Sequence, residues 1–197
     1  MTPHVVLGVS GASGAALALS VARHLTAAGA VVELVLSDMA RRTLTEEVGP
    51  DAEAELTALA ACRHDIRDLG ARIASGSAPV AGMVVAPCSM RSLAAIAHGL
   101  DDNLLTRAAG VQLKERRPLV LLARETPLTL AHLDNMTAVT RMGAVVMPPA
   151  PAFYLRPDSV QAIIDQIAAR ATDQLRLSPP QAQAWTGTAP SLPDQSG

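Results

Sequence analysis

HVVLGVSGASGAALALSVARHLTAAG, residues 4–29, decides how this chain folds. His4–Val9 is a short apolar run rich in β-branched residues, as a buried strand requires. It breaks at a Gly/Ser cluster, after which a helical pattern runs from about Ser13 to Ala28 and stops near Gly29. A buried strand, a tight turn and a crossover helix are the opening unit of a parallel α/β sheet. The alternation recurs outward from there. Val31–Leu36 reads as a second strand and Asp38–Val48 as a helix with Asp38 as its cap. Residues 51–80 read less clearly, as a helix, a short strand near His64–Asp68 and the loop ASGSAP. Met83–Ala86 is a central strand followed by a helix from Ser89 to about His98. A helix over about Asn103–Arg116 leads through Pro118 to the strand Leu119–Ala123. Leu128–Met142 is helical, Ala144–Met147 is the last strand, and Asp158–Leu175 the last helix. The expected fold is α/β: a Rossmann-like (flavodoxin-like) doubly wound parallel sheet of about six strands in three layers. Residues 1–177 would form one domain, and the Pro-, Ser- and Gln-rich residues 178–197 a flexible or docking tail.

At 197 residues, 49% of them apolar and few of them aromatic, the core must be built from small aliphatics. A mean hydropathy of +0.26 leaves apolar surface that subunit contacts can cover. A formal net charge of −2 gives no footprint for nucleic acid or an anionic membrane. Cys62 and Cys88 have neither disulfide-framework nor metal-ligand spacing, and no apolar run is long enough to span a membrane. The expectation is a cytoplasmic protein.

In open α/β sheets the ligand crevice lies beyond the carboxyl ends of the strands. The loops to inspect are therefore Ser10–Ser13, Ser37, Pro87–Ser92, Arg124–Pro127 and Pro148–Tyr154. GVSGASGA places hydroxyls and helix-terminal amides where they can cradle a phosphate, although it also reads as a plain strand-to-helix turn. It lacks both the Walker GK[ST] and the full GxGxxG spacing. A short-chain dehydrogenase is excluded because the residue four after Tyr154 is Asp158, not Lys. In PCSMRSL, residues 87–93, Ser89 and Ser92 suit either an N-cap network or a flavin or phosphate edge. Cys88 reads as a buried structural thiol. Lys114 is the only lysine among sixteen basic residues, and the only Phe and Tyr, Phe153 and Tyr154, are adjacent. A lone ammonium and an aromatic pair point to a phosphate and an unsaturated or ring-shaped group. KERR, residues 114–117, equally suits a solvated helix end.

The strings GVSGASGA, SGSAPVAGMVVAPCSM, DNLLTRAAGVQLKERRPLVLLARETPL, HLDNM and GAVVMPPAPAFYLRP resemble, in order and spacing, UbiX-type flavin prenyltransferases over roughly residues 4–176. The resemblance implies an FMN-binding Rossmann-like enzyme that joins the dimethylallyl group of dimethylallyl phosphate to N5 and C6 of reduced FMN without a metal. It further implies a UbiD-type decarboxylase as recipient of the prenylated FMN. It implies a homo-oligomer too, dodecamers being common in that family, with the active site between subunits. On it, the flavin is held by Ser10, Gly11, Ala12, Ser13, Ser37, Ser89, Met90, Arg91, Ser92 and Arg124. The phosphate is held by Arg107, Lys114, Arg124, Tyr154 and Arg170. The catalytic set is Ser13, Glu47, Lys114, Glu125 and Tyr154, with Glu125 as general acid. Glu46, beside Glu47, is an alternative for the acid near the flavin. His132 is expected to hold a helix start, and Trp185 either is incidental or closes a prenyl pocket. The rival readings are an FMN-dependent cysteine decarboxylase of the same superfamily and an FMN-binding accessory subunit.

Overall fold

The computed structural model describes residues 2–187, so residues 188–197 of the expected tail lie outside the described residues. Six strands form a single parallel sheet: β1 (His4–Val9), β2 (Val31–Leu36), β3 (Cys62–His64), β4 (Val80–Cys88), β5 (Leu119–Ala123) and β6 (Val145–Val146). Their order is β3-β2-β1-β4-β5-β6. The chain thus steps outward from β1 to one edge, returns, and builds the other half from β4. The order reverses between β1 and β4, where a doubly wound sheet opens its crevice. Seven α-helices among the described residues complete the unit: α1 (Ala16–Ala27), α2 (Asp38–Glu47), α3 (Ala52–Ala58), α4 (Met90–Ala97), α5 (Leu104–Lys114), α6 (Leu130–Arg141) and α7 (Val160–Asp173).

Near-continuous apolar runs make these strands because both faces of the sheet are covered. On one face α1 and α7 bury Leu17, Val21, Leu25, Ile167 and Ala171 against Val5, Leu7 and Val9. On the other, Leu93 of α4 and Leu104, Leu105 and Ala108 of α5 pack against Val6, Met83, Val85 and Leu121. Small residues set the spacing. A Cβ on Gly8 would sit 3.0 Å from the Met83 Cε and 3.2 Å from Leu105 Cγ, so α5 lies directly on β1.

Three expectations shift by local chemistry. Ser37, not Asp38, caps α2: its side chain accepts from the Ala40 N–H. The third strand falls at 62–64 rather than 64–68, because Asp65 and Asp68 fold into turns. Their carboxylates accept from the N–H groups of Arg67 and Gly70, each at 3.0 Å. The last helix starts at Val160, with the Ser159 hydroxyl accepting from Ala162 N–H at 3.2 Å. The reading of His132 holds: it forms a capping box with Thr129 at the start of α6.

One charged side chain is buried among the described residues. Glu33 on β2, 2% exposed, receives His4 Nδ1 at 2.7 Å, His64 Nε2 at 2.8 Å and an Arg72 guanidinium nitrogen at 3.1 Å. One carboxylate therefore ties β1, β2, β3 and the loop before β4 together.

Candidate active site at the sheet reversal

Ser10 ends β1 at the reversal point. Its hydroxyl donates to the Pro87 carbonyl at 2.8 Å and accepts from the Ser89 N–H at 2.7 Å. The side chain thus fastens the loop after β1 to the loop after β4, and its polar capacity goes into that joint. Beside it, α1 starts at Ala16 with an N-cap residue, Ala15, that has no side chain to offer. Glu47, at the end of α2, supplies the missing acceptor: its Oε2 takes the N–H groups of Gly14 and Ala15, each at 2.8 Å. Gly14, at φ +106°, adopts the left-handed backbone this turn needs. Burial alone would push the Glu47 carboxyl up. The bonds from Ala15, Gly14 and the Ser13 hydroxyl, with the nearby Arg124 charge, outweigh it and hold the group below the usual carboxylate range. A carboxylate here also complements the positive end of the helix dipole. Glu46 turns away and pairs with Arg42 at 2.7 Å, so Glu47 is the acid that faces the loop.

A cleft of about 540 Å³ opens between these loops, lined by Ser10, Gly11, Ser37, Ser89, Arg91 and Ser92 among others. The N-terminus of α4 faces it. The Ser89 hydroxyl accepts from Ser92 N–H at 3.3 Å and reaches the Ser92 hydroxyl at 3.2 Å. Gly11 has no room for a side chain, because a Cβ would collide with Met39 at the start of α2. Hydroxyls, helix-terminal amides and apolar Met39, Ile66 and Leu105 together suit a planar, phosphate-bearing ring system. Arg91 is committed to Asp102. Sequence reading missed Arg67 and Asn103 on the cleft wall; Arg67 pairs at 3.5 Å with Asp38. Arg67 comes from the segment of unclear periodicity, and Asn103, although inside the quoted DNLLTRAAG string, read only as a helix start. Cys88 lies fully buried and desolvation pushes its thiol up to about 12, which leaves it protonated and unreactive.

The remaining candidates divide among three regions. Arg124 and Glu125 follow β5 at the crevice edge. Arg124 makes no ion pair among the described residues, and Glu125 accepts its neighbour Thr126's N–H at 3.0 Å. Tyr154 follows β6 in a short 3₁₀ turn, Phe153–Leu155, and its ring meets Trp185 edge-on at 5.5 Å and 82°. Arg107 and Lys114 are seven residues apart on one side of α5, in a second groove of about 600 Å³ shared with Arg116 and Arg141. There Arg107 holds Asp101 at 2.9 Å and Lys114 pairs with Glu115.

Lys114 does not reach the crevice of its own chain. It lies about 16 Å along the helix axis from Asn103 at the cleft, close to where β5 begins, at the opposite, amino-terminal ends of the strands. Arg170, exposed near the end of α7, sits on the other face of the sheet altogether. One chain therefore does not gather the five phosphate-holding candidates into one place.

A flavoprotein family model matches residues 1–172. The flavin prenyltransferase UbiX of Thauera aromatica is 49% identical over 183 residues, 93% of this chain and 94% of that protein. The chain belongs to the UbiX-type flavoproteins. Two solved structures of the family superpose closely. AnUbiX (PadA1), in complex with FMN and dimethylallyl pyrophosphate, has a TM-score of 0.91 at 42% identity, covering 95% of this chain and all of that one. A dodecameric FMN-dependent UbiX-like decarboxylase from Escherichia coli O157:H7 has a TM-score of 0.88 at 42% identity, covering 93% and 100%.

Proposed function

We propose that this protein is a flavin prenyltransferase that transfers the dimethylallyl group of dimethylallyl monophosphate to reduced FMN. The observation that carries the reading is the crevice at the sheet reversal, where Ser37, Ser89 and Ser92 and the N-termini of α2 and α4 line one cleft beside the loop that Glu47 fastens. Bound reduced FMN supplies the nucleophilic N5 and C6 positions. The chain's own groups do the rest. Ser37, Ser89, Ser92 and the amides around Gly11 hold the phosphate and polar edge of the flavin. Glu47, kept ionised, accepts a proton through the Ser13 hydroxyl bonded to it. Lys114, Arg107, Arg124 and Arg170 stabilise the departing phosphate, and Glu125 hands it a proton. Tyr154 donates its hydroxyl to the phosphate while its ring, backed by Trp185, faces the allylic cation; such contacts contribute roughly 0.5–2 kcal/mol.

Since Lys114 and Arg170 lie on separate faces of one chain, the cage draws them from neighbouring copies. The apolar side chains left in the open fit that assembly. Leu130 and Val160 are each 73% exposed, and α6 buries only Val139. A homo-oligomer, with a dodecamer as the family precedent, follows. Residues 1–177 form its FMN-binding domain, and the cytoplasm is its compartment. No helix among the described residues is long and apolar enough to cross a membrane.

The product serves a UbiD-type decarboxylase. Incubating the protein anaerobically with reduced FMN and dimethylallyl monophosphate, then adding a flavin-free UbiD-type enzyme, is expected to activate that enzyme. Omitting the prenyl donor should abolish the effect. Activation without the donor would instead mark an accessory flavin carrier.

A further inference from the structure

After α7 the chain turns back along the helix it has just completed. Arg176, at φ +55°, makes the turn, and Pro179 and Pro180 stiffen the return. Three successive residues are then anchored. The N–H groups of Gln181 and Ala182 donate to the two carboxylate oxygens of Asp173, at 2.8 and 3.1 Å. The Gln181 amide brackets His24 of α1, with Oε1 2.8 Å from Nδ1 and Nε2 donating to the His24 carbonyl at 3.2 Å. Gln183 exchanges both its backbone groups with the Gln166 side chain, at 3.0 Å each way. Two residues further on, Trp185 meets Tyr154.

Asp173 is out of place as a helical residue. It is the last residue of α7, where unsatisfied carbonyls make a negative end that an acid destabilises. Trp185, 58% exposed, has no core around it to hold its ring. The anchors at 181–183 hold the strap that carries that ring.

We infer that Asp173 is a positioning residue for the prenyl site, fixing the strap so that Trp185 stands against Tyr154. This rests on the reading above, in which Tyr154 faces the dimethylallyl group. The two-pronged bond to adjacent N–H groups sets both the position and the direction of the strap. The Gln166 pair repeats the restraint one residue later.

Trp185 is the only Trp in the chain, so its emission reports the strap directly. In the full oligomeric protein, Asp173→Ala should lower the anisotropy of Trp185 emission and raise its quenching by acrylamide. FMN affinity should stay as in wild type. The kcat/KM for dimethylallyl monophosphate should fall about tenfold or more, as misplacement of a positioned group does. The thermal midpoint should hold or rise, because an acid has left the helix terminus; a merely structural residue would lower it. Gln181→Pro removes an N–H donor from the strap without touching α7 and should reproduce the optical and kinetic changes. Asp173→Asn, which keeps one acceptor, should fall between. Wild-type anisotropy and kcat/KM in Asp173→Ala and Gln181→Pro overturn the proposal, as does loss of FMN or of the oligomer in parallel with activity. If the wild-type protein transfers no prenyl group, the functional reading falls and the positioning role with it, whatever the emission shows.

Discussion

Replacing Lys114 with Met is expected to leave FMN bound and to cut prenyl transfer by about 10²–10³-fold, the usual cost of deleting one preorganised electrostatic group. The ammonium sits on α5, in the groove with Arg107 and away from the sheet-reversal cleft of its own chain, so flavin binding should not feel its loss. Arg170→Met should be comparably inactive, although Arg170 lies across the sheet on α7. The two defects should complement each other. Oligomers reassembled from a mixture of the two variants contain some sites with an intact Lys114 from one copy and an intact Arg170 from another. Recovered turnover in the mixture, absent from either parent, is the expected result. A mixture as inactive as its parents would mean that both cations serve a site in the same chain, against the topology described above.

Glu33→Ala is expected to lower folding stability by about 3 kcal/mol, because it strips the shared acceptor from one guanidinium and two imidazoles at a buried site. Burial by itself would raise the Glu33 pKa. The hydrogen bonds from His64 and His4 and the Arg72 charge reverse that and hold it below the ordinary value. A carboxyl depressed in the folded state stabilises fully above its unfolded pKa, and that contribution is lost as pH falls through the folded pKa. Denaturant titrations across acidic pH should therefore show wild-type stability dropping toward that of Glu33→Gln. The gap between the two should be widest near neutrality. Equal stability at every pH would remove the cluster as a fastening of β1, β2 and β3.

The fold was legible where apolar runs are sharply bounded. β1, β2 and β5 fall residue for residue where the sequence placed them, because Gly, Ser or Pro stands at their ends. β3 was misplaced because Cys62-Arg63-His64 is a three-residue edge strand with almost no apolar signal, and the Asp turns beyond it mimic strand-like spacing. The reversal-point cleft was legible from the loops after β1, β2 and β4, while its wall at Arg67 and Asn103 was not. Glu47 shows why: it satisfies the N-cap residue Ala15, 32 residues earlier in the chain, a relation no local pattern carries. The separation of Lys114 from Arg170 comes from which face of the sheet each helix covers, so composition could mark Lys114 as unusual without saying what it would meet. Trp185, ambiguous as a lone aromatic in a polar segment, stands edge-on to Tyr154 in a segment held by the hydrogen bonds of the residues just before it.

The most direct test of prenyl transfer is mass spectrometry of the flavin released after anaerobic incubation with chemically reduced FMN and dimethylallyl monophosphate. The expected result is a flavin heavier by one C5H8 unit, with inorganic phosphate formed in equal amount. Unmodified flavin, from protein that demonstrably binds FMN and with the diphosphate donor also tried, would contradict it.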